Sequence, residues 1–361
     1  MSGTRFPGRA VLDAAAMTET HLPHETAVQD RLFTCWPAAR DYWPATLEDV
    51  WPEYRAFLNL AVEPAPNGRR LPLTILASTG EAEACARAAM GNRAEVIRHP
   101  YGDVWTRDTG PVFLRRAGEL LAVRFRHNGW GGKYLYPGDA ELGEKIAELA
   151  GARIVPVDLV GEGGALEFDG DGTVLTTRQC LLNSNRNPGP SESQVEDRLK
   201  KALGIEKVLW IDEGMSADHT DGHIDNIVRF VRPGVVVCQM PFGADDEQAR
   251  VFPAILRQLQ TMTDARGRRL QVHIIPGPGR FEDEDGELMP ASYMNWVIGP
   301  RNIVVPTYGS QSEGAALRIL RGLFRNHRIV GSRSDAILTG GGAFHCVTCH
   351  VPGGPECFEQ A

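Results

Sequence analysis

Five times along the 361-residue chain, a predicted helix is followed by a short apolar strand. Leu142, Ile146 and Leu149 illustrate the pattern, since their spacing places three apolar side chains on one helical face. The predicted helices cover residues 81–90, 142–149, 195–203, 255–262 and 316–324. The strands that follow them cover residues 95–98, 154–160, 208–211, 270–275 and 329–330.

After each of these strands comes a polar loop with one chemically useful side chain, and then a second apolar strand. The second strands cover residues 112–114, 173–176, 227–231, 303–305 and 347–351. Units of similar length in series predict a radial repeat, in which matching loops meet at one central point. An irregular α/β protein with coincidental spacing is the alternative. The five marker residues, 51 to 72 positions apart, are Asp108, Glu162, His223, Asn295 and Cys346.

Composition is typical of a globular protein with a sizeable core, since 42% of residues are hydrophobic and 23% are charged. The net charge of −8, without any Lys/Arg-rich run, argues against nucleic acid as a partner and mildly favours cationic ligands. No apolar run approaches the 18 residues that a transmembrane helix needs, so we expect no membrane partner.

The N-terminal residues lack the apolar core of a secretory signal. Together with seven cysteines in a long chain, this predicts reduced thiols and a cytoplasmic location. Met17 resembles a natural start, so residues 1–16 are predicted to be a disordered tail or a cloning remnant. No Ser/Gly linker or charge block divides the rest, which predicts one catalytic domain over residues 17–361.

The five loops together could form a catalytic site around a cysteine. Glycines before Cys346 permit close approach of a ligand, and a thiolate paired with His223 is a nucleophile–base pair. The carboxylates of Asp108, Glu162 and Asp225 would raise the thiol pKa by repulsion, unless the substrate carries compensating positive charge. A planar guanidinium fits this requirement, because its donors suit bidentate carboxylate partners. Trp105 could add an aromatic face for the cation.

Seven short runs resemble those of the agmatine deiminase family, a branch of the guanidino-group modifying enzymes that includes Porphyromonas-type peptidylarginine deiminase. The similarity extends in order from about His21 across nearly the whole chain. The runs are WTRDTGP (105–111), NGWGGK (128–133), EGG (162–164), NRNP (185–188), TDGHIDN (220–226), SYMN (292–295) and GGAFHC (341–346).

This resemblance implies the pentein fold, an α/β five-bladed propeller of ββαβ-like repeats. It implies hydrolysis of a small cationic guanidine to a urea and ammonia, with neither a metal nor an organic cofactor. The first expected substrate is agmatine, whose product N-carbamoylputrescine belongs to putrescine and polyamine metabolism. A homo-oligomer is compatible with the sequence.

The resemblance also implies roles for individual residues. Cys346 is the expected nucleophile, which forms an amidino-cysteine intermediate, and His223 is the expected general acid and base. Asp108 and Asp225 are expected to hold the guanidinium nitrogens, with Glu162 supporting the histidine. The expected substrate contacts are Trp105, Asp218 and Asn295.

Four positions depart from the family pattern. Ala343 replaces an asparagine and His219 replaces an acid, while Arg124 and Arg126 replace Asp and Gly on a predicted strand. Two residues apart on a strand, the arginines should share a face. If that face meets the site, they could bind a carboxylate, and the substrate would then be free or C-terminal arginine. If it meets solvent, they carry no information on specificity.

Rival interpretations remain open from the sequence. The run CVTCH at 346–350 matches a haem-attachment motif, and with His345 it could bind zinc. Cys346 and Cys349 could form a redox pair. A radially repeated scaffold that binds partners without catalysis is the alternative to an enzyme.

Overall fold

The five predicted repeats form five small β-sheets in the computed structural model, which describes residues 20–43, 45–283 and 285–354. In every sheet a strand pairs antiparallel with one neighbour, and pairs parallel with the strand that follows a helix. Parallel pairing requires a crossover of this kind, because the chain must return to the same end of the sheet. The fivefold ββαβ-like repeat is therefore confirmed.

Each of the five sheets contains three or four strands. The first sheet contains Thr348–Pro352, Gln29–Cys35, Leu73–Ala77 and Ala94–Arg98. The second contains Thr20–His21, Val112–Arg116, Glu119–Arg126 and Arg153–Val160. The third contains Lys207–Ile211, Thr173–Thr177 and Glu167–Phe168. The fourth contains Val228–Arg232, Val235–Met240 and Gln271–Pro276, and the fifth Val297–Ile298, Asn302–Thr307 and Arg328–Arg333.

The helices form where apolar side chains recur at helical spacing between suitable caps. In the helix Glu192–Leu203, Ser191 and Gln194 form a capping box, and Gly204 ends the helix at a φ of 69°. The other helices of eight or more residues are Leu47–Ala61, Gly80–Met90, Asp139–Ala150, Phe252–Leu259 and Glu313–Leu323. Shorter helical turns cover Arg40–Tyr42, Gly91–Arg93, Thr106–Thr109, Gly129–Gly132, Gly163–Ala165, Arg178–Leu181, Ile224–Asn226, Glu247–Arg250 and Asp335–Leu338.

The first sheet joins the two ends of the described chain. Its strand Thr348–Pro352 runs antiparallel to Gln29–Cys35, and the Thr34 hydroxyl donates to the Val347 carbonyl at 2.7 Å. This pairing closes the series of sheets and brings the loop of Cys346 beside the loop that begins at Thr106.

Three strands are completely buried in the core. Leu73–Ala77, Thr173–Thr177 and Asn302–Thr307 are buried along their whole length, so their ends cannot move independently of the core. Among the described residues, no helix is long and apolar enough to cross a membrane. The predicted tail at residues 1–16 lies outside the described residues.

Candidate active site

The thiol of Cys346 is fixed by its own loop and by Asn295. The Asn295 amide nitrogen lies 3.0 Å from Cys346 Sγ, and its carbonyl oxygen accepts from the backbone amides of His345 and Cys346. Gly342 has no space for a side chain, because a Cβ there would lie 2.7 Å from the Trp105 ring. Asn295 is buried and lies behind the thiol, so its contacts are those of a positioning residue.

His223 and the predicted carboxylates surround one buried point. His223 Nε2 lies 3.5 Å from Glu162 Oε2, and its Nδ1 lies 3.8 Å from Asp108 Oδ2. Gly164 sits between these groups, since a Cβ there would lie 2.6 Å from His223 Nδ1, 2.9 Å from Asp108 and 3.1 Å from Asp225. The backbone amide of Gly164 donates to Asp108 Oδ1 at 3.0 Å. The loops predicted to converge therefore do so.

Charge in this group is divided between a cation and several anions. Burial alone would lower the pKa of His223, but Asp108, Cys180 and Glu162 raise it well above 6.5. Burial would likewise raise the pKa of Glu162, yet His223 and Arg186 lower it to about 2. The neighbouring charges thus favour the ionised form of Glu162 and the imidazolium form of His223.

Asp108 titrates closer to neutrality than Glu162. Burial, together with the charges of Asp225 and Glu162, raises its pKa to about 6 against the lowering effect of His223. Trp130 donates its indole N–H to Asp108 Oδ2 at 2.9 Å, which orients the carboxylate. A cationic ligand beside Asp108 would stabilise its ionised form.

The acids also control the thiol. Asp225 Oδ2 lies 3.6 Å from Cys346 Sγ, and burial together with Asp225 and Asp108 raises the thiol pKa well above 9. The other oxygen of Asp225, Oδ1, is buried and has no hydrogen-bond partner among the described residues. An unpaired buried carboxylate oxygen is costly, and a guanidinium donor would satisfy it.

The thiol opens into a cavity of about 220 Å³ with an aromatic wall. Trp105 lines it and stacks on Trp43 at a centroid distance of 5.7 Å, and both indoles donate to the buried Asp103 carboxylate, at 2.8 and 3.2 Å. Burial raises the pKa of Asp103 to about 7. The remaining lining residues are Tyr42, Asp108, Trp130, Tyr134, Tyr136, His219, Thr220, Thr339, Gly340, Gly341 and Cys346.

Three residues in or beside the site received no role from the sequence. Trp130 belongs to the NGWGGK run, and its φ of 52° presents the indole to Asp108. His219 lies at the rim, where its Nδ1 is 3.1 Å from the Tyr134 hydroxyl. Arg186 is fully buried and bridges Glu162 Oε1 at 2.8 Å to Asp221 at 2.6 Å. The NRNP run was the available signal for Arg186.

Asp218 does not line the cavity. Its Oδ1 accepts from the Thr220 amide at 2.8 Å, and its Oδ2 accepts from the His223 amide at 3.0 Å. Because both oxygens are occupied by backbone donors, the carboxylate shapes the turn that presents His223.

Arg124 and Arg126, which could have bound a substrate carboxylate if their strand face met the site, do not line the cavity. A bulge separates them in the pairing with the strand Arg153–Val160. Arg124 packs under the helix Asp139–Ala150 and donates to the Ala140 carbonyl. Arg126 is 60% exposed and pairs with Asp158 at 3.3 Å. The helix that covers Arg124 and the bulge between the two arginines direct both guanidinium groups away from the site.

The rival CVTCH motif does not converge on one point. Cys346 faces the cavity, whereas Cys349 Sγ lies 3.4 Å from the Pro111 carbonyl oxygen and His350 Nδ1 lies 3.3 Å from Arg107. Both cysteines are free thiols. Among the described residues, ligand atoms close enough for a metal come from Glu162, Cys180 and His223, and Arg186 already pairs with that carboxylate.

The family model described as Porphyromonas-type peptidyl-arginine deiminase matches residues 21–352. The chain belongs to this family. The agmatine deiminase of Stutzerimonas stutzeri is 36% identical over 357 residues, covering 92% of this chain and 95% of that protein. The solved agmatine deiminase of Enterococcus faecalis superposes with a TM-score of 0.87 at 28% identity, covering 96% and 99% of the two chains. A Campylobacter jejuni agmatine deiminase structure, at 23% identity and a TM-score of 0.81, shares the fold.

The solved structures confirm the pentein fold that the sequence predicted for this member of the Porphyromonas-type deiminase family. The five sheets and the superposition agree, as does the central position of the convergent loops. Within this family member, the cysteine, the histidine and three carboxylates occupy one buried site beside an aromatic cavity.

Gly164→Ala should reduce turnover by at least about 100-fold in this family member, because the added methyl group would displace His223 and Asp108. Steady-state kinetics on a guanidine substrate measure the effect. Gly161→Ala is the matched control, since a Cβ there meets Leu181 only at an ordinary contact of 3.6 Å. Equal activity of the two variants would contradict the close approach at Gly164.

Proposed function

We propose that this chain hydrolyses agmatine to N-carbamoylputrescine and ammonia, through a covalent amidino intermediate on Cys346. The observation that carries the proposal is the placement of a buried thiol among ionisable acids at the end of an aromatic cavity. In the free site those acids keep the thiol protonated. A guanidinium between them reverses the balance, so that substrate binding itself generates the nucleophile.

Binding uses the open carboxylate positions. Asp225 Oδ1 accepts from one guanidinium nitrogen and Asp108 accepts from another, while the Trp105 ring covers the planar cation. These contacts place the central guanidinium carbon against Cys346 Sγ. Fixed anions around a reacting cation need no reorganisation when charge moves, which lowers the barrier.

The first chemical step forms an S–C bond and breaks a C–N bond. Cys346 Sγ attacks the central carbon, and the tetrahedral adduct expels one nitrogen as ammonia. His223 starts as an imidazolium, as its raised pKa requires, and donates the proton that the leaving nitrogen takes. Glu162, ionised beside His223 Nε2, stabilises that charge before the transfer.

The second step consumes water. Neutral His223 removes a proton from a water molecule, whose oxygen attacks the carbon of the thiouronium intermediate. The C–S bond then breaks, the thiol is regenerated and the carbon leaves as a ureido group. The net reaction takes one water and releases one ammonia.

The cavity favours an amine tail over a carboxylate tail. Among the described residues that line it, two are aspartates and none is lysine or arginine. We therefore expect agmatine to be processed with a kcat/KM at least about 100-fold above that of arginine or an arginyl peptide. A colorimetric ureido-product assay over the three substrates measures this.

The Arg124→Ala variant is the control for the substrate comparison. Its side chain packs under a helix, away from the cavity, so the variant should keep the preference for agmatine. The choice of agmatine would be overturned if the wild type preferred arginine and the Arg124→Ala variant lost that preference. Absence of any ureido product from all three substrates would overturn the proposed reaction.

A further inference from the structure

His345 is buried next to the nucleophile, and the proposed reaction gives it no chemical step. Its Nδ1 lies 2.7 Å from Asp225 Oδ2, and its Nε2 lies 2.9 Å from Glu25 Oε1. The side chain is 1% exposed. The imidazole thus links the guanidinium-binding carboxylate to a residue near the start of the described chain.

The two contacts define the protonation of the ring. An ionised carboxylate can only accept hydrogen bonds, so a ring held at both nitrogens by carboxylates must donate from both. A doubly donating imidazole is an imidazolium. The neighbouring Asp225 has its pKa lowered, because the His345 contact and charge outweigh the effect of burial.

Glu25 is itself a fixed anion. Arg107 Nη1 lies 3.0 Å from Glu25 Oε1, and Arg229 donates to the other oxygen. Burial would raise the pKa of Glu25, but His345, Arg107 and Arg229 lower it well below 4.5. His350 Nδ1 lies 3.4 Å from the same Oε1. The far end of the His345 ring is therefore anchored by a carboxylate that cannot rotate freely.

Resting on the proposed function, we propose that His345 is a positioning residue for substrate recognition. Held between Glu25 and Asp225, it turns Asp225 so that Oδ2 points inward and Oδ1 stays open for the guanidinium. It also neutralises the inner oxygen that lies 3.6 Å from Cys346 Sγ. Asp225 can then bind the cation through Oδ1 while the oxygen near the thiol, Oδ2, stays paired with His345.

The test compares two labels of Cys346 that have nearly the same shape but differ in charge, the cationic 2-chloroacetamidine and the neutral 2-chloroacetamide. Both alkylate a thiol, but only the amidinium uses Asp225. We expect wild-type protein to react preferentially with the cation, and His345→Gln to lower the ratio of the two rate constants about tenfold. Because unfolding would also abolish the preference for the cation, the ratio is compared only among variants whose circular dichroism matches that of the wild type.

The matched control is His350→Gln, which alters another imidazole beside Glu25 while leaving both contacts of His345 in place. It should retain the wild-type ratio. If His345→Gln fails to fold, Glu25→Gln keeps the ring and removes its anchor, and the ratio should fall about threefold. An unchanged ratio in the folded variant overturns the inference.

The labelling experiment is independent of turnover. A wild-type protein that prefers the amidinium but produces no ureido compound would contradict the proposed reaction, and the role of His345 would still be read from the ratio. A wild-type protein that turns over agmatine, with the same label ratio in His345→Gln, would contradict the role of His345 alone.

Discussion

Cys346→Ala should lower the formation of ureido product by at least about 10⁴-fold, because both proposed covalent steps pass through the Cys346 sulfur. The substitution removes one atom from a loop already fixed by Asn295, so the thermal unfolding midpoint should stay close to that of the wild type. Continuous ammonia detection and circular dichroism measure the two quantities on the same preparation.

Cys349→Ala is the matched control for the thiol. Cys349 is buried three positions along the chain, but it contacts the Pro111 carbonyl and does not line the cavity. It should retain activity and still react with chloroacetamidine. Appreciable turnover by Cys346→Ala, or loss of labelling in Cys349→Ala alone, would show that Cys346 is not the nucleophile.

His223→Asn should lower kcat about 10³-fold, because the variant can neither protonate the leaving ammonia nor deprotonate water. His273→Asn is the control, since His273 lies on the strand Gln271–Pro276 and does not line the cavity. The measurement is kcat for agmatine across pH 5 to 10. A loss smaller than about tenfold would show that another group carries the proton.

The pH profile separates two of the ionisations on which the proposed reaction depends, those of Asp108 and His223. Asp108 must be ionised to bind the guanidinium, so kcat/KM should rise as pH increases through about 6. His223 must be protonated at the start, and its pKa is raised, so activity should fall as pH increases through that raised value. Glu162, with a pKa of about 2, stays ionised throughout. His223→Asn should therefore lack the alkaline decline.

Helical periodicity located five helices within a few residues, but the helix Leu47–Ala61 was not predicted. Val195, Leu199 and Leu203 indicated the helix Glu192–Leu203, which Ser191 caps and Gly204 ends. The strand Val235–Met240 was missed because it is buried on both faces and shows no alternation of polar and apolar residues. Fully buried strands give a weaker pattern than half-buried ones.

Some features of the site could be predicted from the sequence, and others could not. The five marker loops carry recognisable chemistry, and their regular spacing predicted that they would meet. The link from His345 to Glu25 joins residues 320 positions apart, and no local pattern reports such a contact. The orientation of Arg124 depends on a bulge and a covering helix, neither of which strand alternation reveals.

The pairing of Thr348–Pro352 with Gln29–Cys35 has a consequence for biosynthesis. A growing polypeptide presents the carboxylates of the site long before residue 346 emerges from the ribosome. Contacts between such distant segments form late and slowly, because a long loop must close first. The sulfur of Cys346 is thus made after the carboxylates of the site, and chains that end before residue 346 lack the proposed nucleophile.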